Sequence, residues 1–84
     1  MSNSLYDKFV QARSEKNFGA VLNEEILRLV NSGHKQEEVM NSLAKAAEIQ
    51  VGTLNQILKG KIKNPPDKRV EGIAKGFLAF STNN

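Results

Sequence analysis

Apolar residues recur every three or four positions along most of this chain, which is the spacing of helices that bury one face. Breaks in the pattern divide it into five segments, at roughly 5–16, 21–31, 36–47, 51–59 and 67–80. The pattern therefore predicts an all-α protein, a compact bundle of about five short helices.

Glycines mark the predicted ends of three of these helices. Gly19, Gly33 and Gly60 each follow a helical segment, and glycine readily adopts the left-handed conformation in which helices often end. Gly72 and Gly76 instead lie inside the fifth segment, where a glycine costs about 0.5–1 kcal/mol relative to alanine. We expect another element to pack closely on these two, either a helix of the same core or a second subunit.

Two prolines separate the fourth helix from the fifth. Pro65 and Pro66 cannot continue a helix and restrict the residue before each of them. The connector 61–66 is therefore expected to be extended and exposed, with Asp67 capping the closing helix.

The stretch 43–60 has the pattern of two short helices that cross at a tight turn. Its apolar positions are Leu43, Ala44, Ala47, Ile49, Leu54, Ile57 and Leu58. Ile49 is expected to plug the turn, and Gln50 lies where the second helix needs a capping side chain. The pattern predicts a helix-turn-helix over 36–60, a motif whose second helix enters the DNA major groove.

The chain of 84 residues is long enough for one small domain. The predicted parts are an N-terminal accessory helix over 1–19, a helix-turn-helix domain over 20–80 with its closing helix at 67–80, and a flexible tail over 81–84. The accessory helix has a thin apolar side, so we expect it to form an outer layer or to fray. As an alternative, Leu5, Tyr6 and Phe9 form a surface for a partner or a second copy.

The residue inventory argues against an enzyme. There is no cysteine, no glycine-rich phosphate loop and no pair of histidines at ligand spacing. The one histidine, His34, is expected at the surface, and the adjacent Glu24 and Glu25 point apart on a helix and form a solvated face. We expect no catalytic residues, metal, cofactor or small-molecule substrate.

No apolar run approaches membrane-spanning length, and the first residues lack the layout of a secretory signal. We therefore expect a cytoplasmic protein that does not bind membranes, associated with the nucleoid if it binds DNA.

Charge is distributed unevenly along the chain. Residues 1–49 carry six basic and seven acidic side chains, a net charge of −1, whereas residues 50–84 carry six and two, a net charge of +4. The basic half begins at the second helix of the predicted motif, which suits a polyanion such as nucleic acid. A solvated lysine face on a small protein explains the charge about equally well.

The predicted outward face of the fourth helix is short and polar. Thr53 can contact a base or a thymine methyl group, and Gln56 can form a paired hydrogen bond to adenine. Asn55 lies to one side, within reach of a phosphate. A solvated helix face without a ligand is the alternative.

From Leu43 to about Leu78, some 36 of the 84 residues, the chain resembles the phage-repressor-type helix-turn-helix family, also called the xenobiotic-response-element type. The resemblance is carried by Leu43-Ala44, Ile49, Leu54, Ile57, Gly60, a proline in the connector and Ile73-Ala74-Lys75. The chain departs from the family at Glu48, where a glycine is usual, and at Leu58, where a glutamate is frequent.

The resemblance implies a small, usually dimeric DNA-binding protein, a transcriptional regulator of phage or mobile-element type. The positions expected at bases are Gln50, Val51, Gly52, Thr53 and Gln56. The positions expected at phosphates, several of them in the basic segment 59–69, are Asn55, Lys59, Lys61, Lys63, Lys68 and Arg69. The expected partner is double-stranded DNA, with a possible homodimer. The alternative is a protein–protein interaction module that has a repressor-like helical fold and does not bind DNA.

Overall fold

The computed structural model describes residues 4–81, which form five α-helices and, within that range, no strand. The helices are α1 (Ser4–Ser14), α2 (Phe18–Asn31), α3 (Gln36–Ala47), α4 (Val51–Leu58) and α5 (Asp67–Ser81). The predicted all-α bundle of five helices is confirmed. The predicted tail at 81–84 lies outside the described residues except for Ser81, which is the last residue of α5.

A single cluster of buried apolar side chains joins all five helices. From α1, Phe9 is fully buried, and its ring lies edge to face with Phe18 at 5.4 Å and 5.7 Å from the ring of Phe77. Aromatic rings prefer such edge and tilted arrangements. Because Phe9 is in the core, it is not available for a partner surface with Leu5 and Tyr6, which are themselves half-buried.

The backbones of α3 and α5 lie almost in contact. A Cβ atom on Gly72 would come within 2.5 Å of the Ala47 Cα atom, and one on Gly76 within 2.8 Å of the Leu43 Cδ2 atom. Of the two explanations for this glycine pair, packing against another helix of the same core is confirmed. The helices can approach this closely because neither glycine carries a side chain.

The prediction that Gly19 ends the first helix is wrong. The helix α1 ends at Ser14, and the chain reverses through Lys16, whose φ of 63° is left-handed. Gly19 lies in the first turn of α2, where a Cβ atom would come within 2.6 Å of the Ile57 carbonyl oxygen. This glycine therefore allows α2 to approach α4.

The turn between α3 and α4 occupies three residues. Glu48 has a left-handed φ of 60°, and the Ile49 amide donates to the Ala44 carbonyl oxygen at 2.9 Å. Gln50 occupies the predicted cap position of α4 with an extended backbone, but its side chain makes no capping hydrogen bond. Glu48 thus adopts a conformation that glycine takes at lower cost.

Arg13 of α1 binds the connector between α4 and α5. Its Nη1 atom donates to the Pro65 carbonyl oxygen at 2.9 Å, and Pro65 is buried. The prediction that the whole connector is exposed is therefore wrong, because a side chain from α1 holds part of it against the core. Ile62 is also half-buried.

Asp67 does not cap α5, contrary to the prediction. The Pro66 carbonyl oxygen accepts hydrogen bonds from the amides of Arg69 and Val70 at 2.9 and 3.1 Å, so Pro66 precedes the first turn. The Asp67 carboxylate instead pairs with the Arg13 guanidinium at 2.6 Å.

Two other surface predictions need correction. Glu25 does not belong to a solvated face, because only 12% of its side chain is exposed and its carboxylate binds the Lys8 ammonium at 2.7 Å. His34 is half-buried, with its ring edge-on to Phe80 at a centroid distance of 4.9 Å. Both residues contact parts of the chain that are distant in sequence.

Candidate nucleic-acid interface

The short helix α4 is attached to the core along one side. Leu54 and Ile57 are buried, and Leu58 is half-buried. The first turn of α2 lies against its last turn, since a Cβ atom on Gly19 would be 2.9 Å from the Leu58 carbonyl oxygen. The side of α4 that remains faces solvent.

Three of the five positions expected at bases are exposed, namely Gln50, Gly52 and Gln56, while Val51 and Thr53 are half-buried. A Cβ atom on Gly52 would meet nothing within 4 Å. The structure thus places amide side chains and an open stretch of backbone on the solvent side of α4.

The basic residues after α4 differ in what surrounds them. Lys59, Lys61, Lys63 and Lys68 are exposed, and within residues 4–81 they form no ion pair or side-chain hydrogen bond. Arg69 is half-buried, and its Nη1 atom donates to the Ala47 carbonyl oxygen at 3.0 Å. The four ammonium groups are available to a ligand, whereas Arg69 holds the C-terminal end of α3.

A shallow groove runs between α3 and α4. Its lining residues are Gln36, Glu37, Met40, Asn41, Val51 and Asn55. The groove brings exposed amide side chains of α3 beside Asn55, together with the carboxylate of Glu37. Sequence reasoning did not connect Gln36 and Asn41 with α4, because only the packing of the two helices brings them together.

A second groove lies at the other end of α4, where it meets the corner between α1 and α2. Its lining residues are Lys16, Asn17, Gly19, Ala20, Asn23, Leu58, Lys59 and Gly60. The two grooves follow the same edge of α4, since Val51 and Asn55 line the first, and Leu58 and Lys59 line the second.

Within residues 4–81, no three His, Asp or Glu side chains lie close enough together to hold a metal ion. Nor does any helix in that range combine the length and apolar character needed to cross a bilayer.

Comparisons with protein-family models, curated proteins and solved structures found no match to this chain. The repressor-type resemblance therefore depends on the residue pattern described above.

Proposed function

We propose that this protein binds double-stranded DNA, with α4 in the major groove. The observation that carries the proposal is the two-sided character of α4. One side buries Leu54 and Ile57, and the other exposes amide side chains. Four exposed lysines, which form no ion pair within residues 4–81, lie in and just beyond the segment that follows. A helix held in this way can present polar groups to base edges while the lysines contact the backbone.

Base contacts are assigned to the exposed amides of α4. Gln56 is suited to a paired hydrogen bond with adenine, and Gln50 lies at the end of α4 that meets base edges in this docking geometry. Thr53 and Val51 are half-buried, so their contribution is apolar contact, such as that with a thymine methyl group. The open backbone at Gly52 allows close approach of the DNA.

Phosphate contacts are assigned to the four exposed lysines and to Asn55. Arg69 was expected among them, but its guanidinium donates to the Ala47 carbonyl oxygen. We therefore assign Arg69 to holding the end of α3 and the turn that leads into α4. Phosphate contacts position a protein on DNA without reading its sequence.

Regulation of transcription by occupying a DNA site is the role that the repressor-type resemblance supports. The same resemblance implies a dimer, which would occupy two half-sites about 34 Å apart.

The test is selection of a preferred duplex from random sequences, followed by affinity measurements over a salt series. If the four lysines each neutralise a phosphate, the logarithm of affinity falls against the logarithm of salt concentration with a slope of about −3.6 per subunit, since each contact contributes about −0.9. Absence of binding to every duplex at low salt refutes the proposal.

Two variants distinguish base contacts, which give sequence preference, from phosphate contacts, which position the protein on the DNA. Lys63→Gln should weaken binding to all duplexes and reduce the slope by about 0.9. Gln56→Ala should leave the slope unchanged and relax the preference at one base pair. Lys75→Gln, an equal charge change on the exposed side of α5, serves as the control.

The second candidate function is a protein–protein interaction module without DNA binding. It is favoured by two exposed carboxylates near α4, Glu37 in the first groove and Glu48 in the turn, because both would repel phosphate. The glycine pair of α5 does not support it, since those glycines pack against α3. NMR shift changes on 50–63 upon DNA addition favour the first function, whereas changes confined to the exposed parts of α1 or α5 upon addition of a protein favour the second.

A further inference from the structure

The groove at the end of α4 brings together residues from two distant parts of the chain. Gly19 in the first turn of α2 lies against the Leu58 carbonyl group, which places the preceding corner beside the last turn of α4. As a result, Lys16 and Lys59 line one groove. Lys59 is already part of the proposed interface, so the groove extends that interface onto α2.

The chemistry of the groove suits a phosphate backbone. Lys16, Asn17, Asn23 and Lys59 are all exposed, and no carboxylate is among the lining residues. Ammonium and amide N–H groups are typical donors to phosphate oxygens. The lining of the groove therefore offers these donors without a carboxylate among them.

The ammonium group of Lys16 is available. It forms no ion pair or hydrogen bond with the part of the chain that the structure describes. The neighbouring Glu15 carboxylate accepts a hydrogen bond from Gln11 at 3.2 Å, on the side of α1.

We infer that Lys16, together with Asn17 and Asn23, contacts the sugar-phosphate backbone of the duplex whose major groove holds α4. This inference rests on the proposed function and extends it, because it adds a contact region on the α2 side of α4. The groove is open and its polar side chains are exposed, so a polymer that passes across several donors fits it better than a small enclosed anion. Three residues outside the predicted motif thereby become part of the interface.

The experiment compares Lys16→Gln with Lys75→Gln over the salt series on the selected duplex. Both substitutions remove one positive charge from an exposed lysine, but Lys75 lines neither groove. Lys16→Gln should reduce the slope by about 0.9, whereas Lys75→Gln should leave it at the wild-type value. Lys16→Arg should retain the wild-type slope because the charge is kept.

Equal slopes for Lys16→Gln and the wild type, while the wild type binds DNA, overturn the inference and leave the proposed function standing. Failure of the wild type to bind any duplex overturns both.

A second measurement uses the wild-type protein, so that no substitution is made at position 16, where the backbone is left-handed. In the wild-type protein, the side-chain amide NMR signals of Asn17 and Asn23 should shift when the duplex is added. Asn31, exposed at the far end of α2, is the internal control and should not shift. If the Asn17 and Asn23 signals stay in place while those of α4 move, the inference is wrong.

Discussion

Gly72 in α5 and Gly52 in α4 meet opposite surroundings. A Cβ atom at position 72 would lie 2.5 Å from the Ala47 Cα atom, whereas one at position 52 would meet nothing within 4 Å. The first glycine is required by the contact between α3 and α5. The fold imposes no such requirement on the second.

Gly72 belongs to a region that holds the fold together, whereas Gly52 belongs to one that the fold leaves free. Around Gly72, the helix backbones are nearly in contact, and the neighbouring side chains of Ala47 and Ile73 are buried. Around Gly52, the helix presents amide groups and open backbone to solvent. Stability should therefore depend on the first region, and recognition of a ligand on the second.

The largest effect is expected from Phe9→Ala, which tests whether α1 belongs to the stabilising region. Phe9 is fully buried and contacts two other phenylalanine rings, so its truncation should lower the free energy of unfolding by about 3–5 kcal/mol. Chemical denaturation followed by circular dichroism measures the change. A loss below about 1 kcal/mol, less than large-to-small core substitutions usually cost, would mean that α1 contributes little to the cooperative core.

The next effect is expected from Gly72→Ala. The added methyl group would overlap the α3 backbone, and overpacking of this kind costs about 1–3 kcal/mol, more than the helix propensity gained. The free energy of unfolding should therefore fall, as measured in the same denaturation experiment. An unchanged or raised value would show that α3 and α5 can separate at little cost.

The smallest effect, and one of opposite sign, is expected from Gly52→Ala. With open space around the position, alanine should raise the free energy of unfolding by up to about 0.5–1 kcal/mol through its helix propensity. If α4 lies in the major groove, the same methyl group should lower affinity for the selected duplex. A gain in stability with undiminished DNA affinity would place the DNA contact elsewhere.

Much of the fold was predictable because helix periodicity is a local property. The bounds of α3 were predicted as 36–47 and match the structure. The stop at Gly33 and the close packing at Gly72 and Gly76 were also predicted correctly. In each case the signal lies within a few residues of the feature that it describes.

The wrong predictions share a different cause. Gly19 was interpreted as a helix stop because a glycine needed for close approach has the same local signal as one that ends a helix. Pro65 and Asp67 were expected to be exposed and capping, respectively, but Arg13 of α1 binds both. No local pattern around either residue reveals a partner so distant in the sequence.

The residues of the candidate site also fall into two groups, those that the sequence predicted and those that only the structure placed there. Sequence reasoning named the polar face of α4 and the lysines of the segment after it, since both are contiguous in the chain. It did not include Lys16, Asn17 or Asn23, whose position beside α4 follows from the contact at Gly19.

The sequence by itself determined that this protein is helical, which faces of α3 and α4 are buried, and where positive charge accumulates, because these follow from residue type and short-range spacing. Only the tertiary structure decided which cations remain unpaired, which glycines separate helices and which segments flank α4. These properties depend on contacts between residues far apart in the chain, and a single local pattern is compatible with several such contacts.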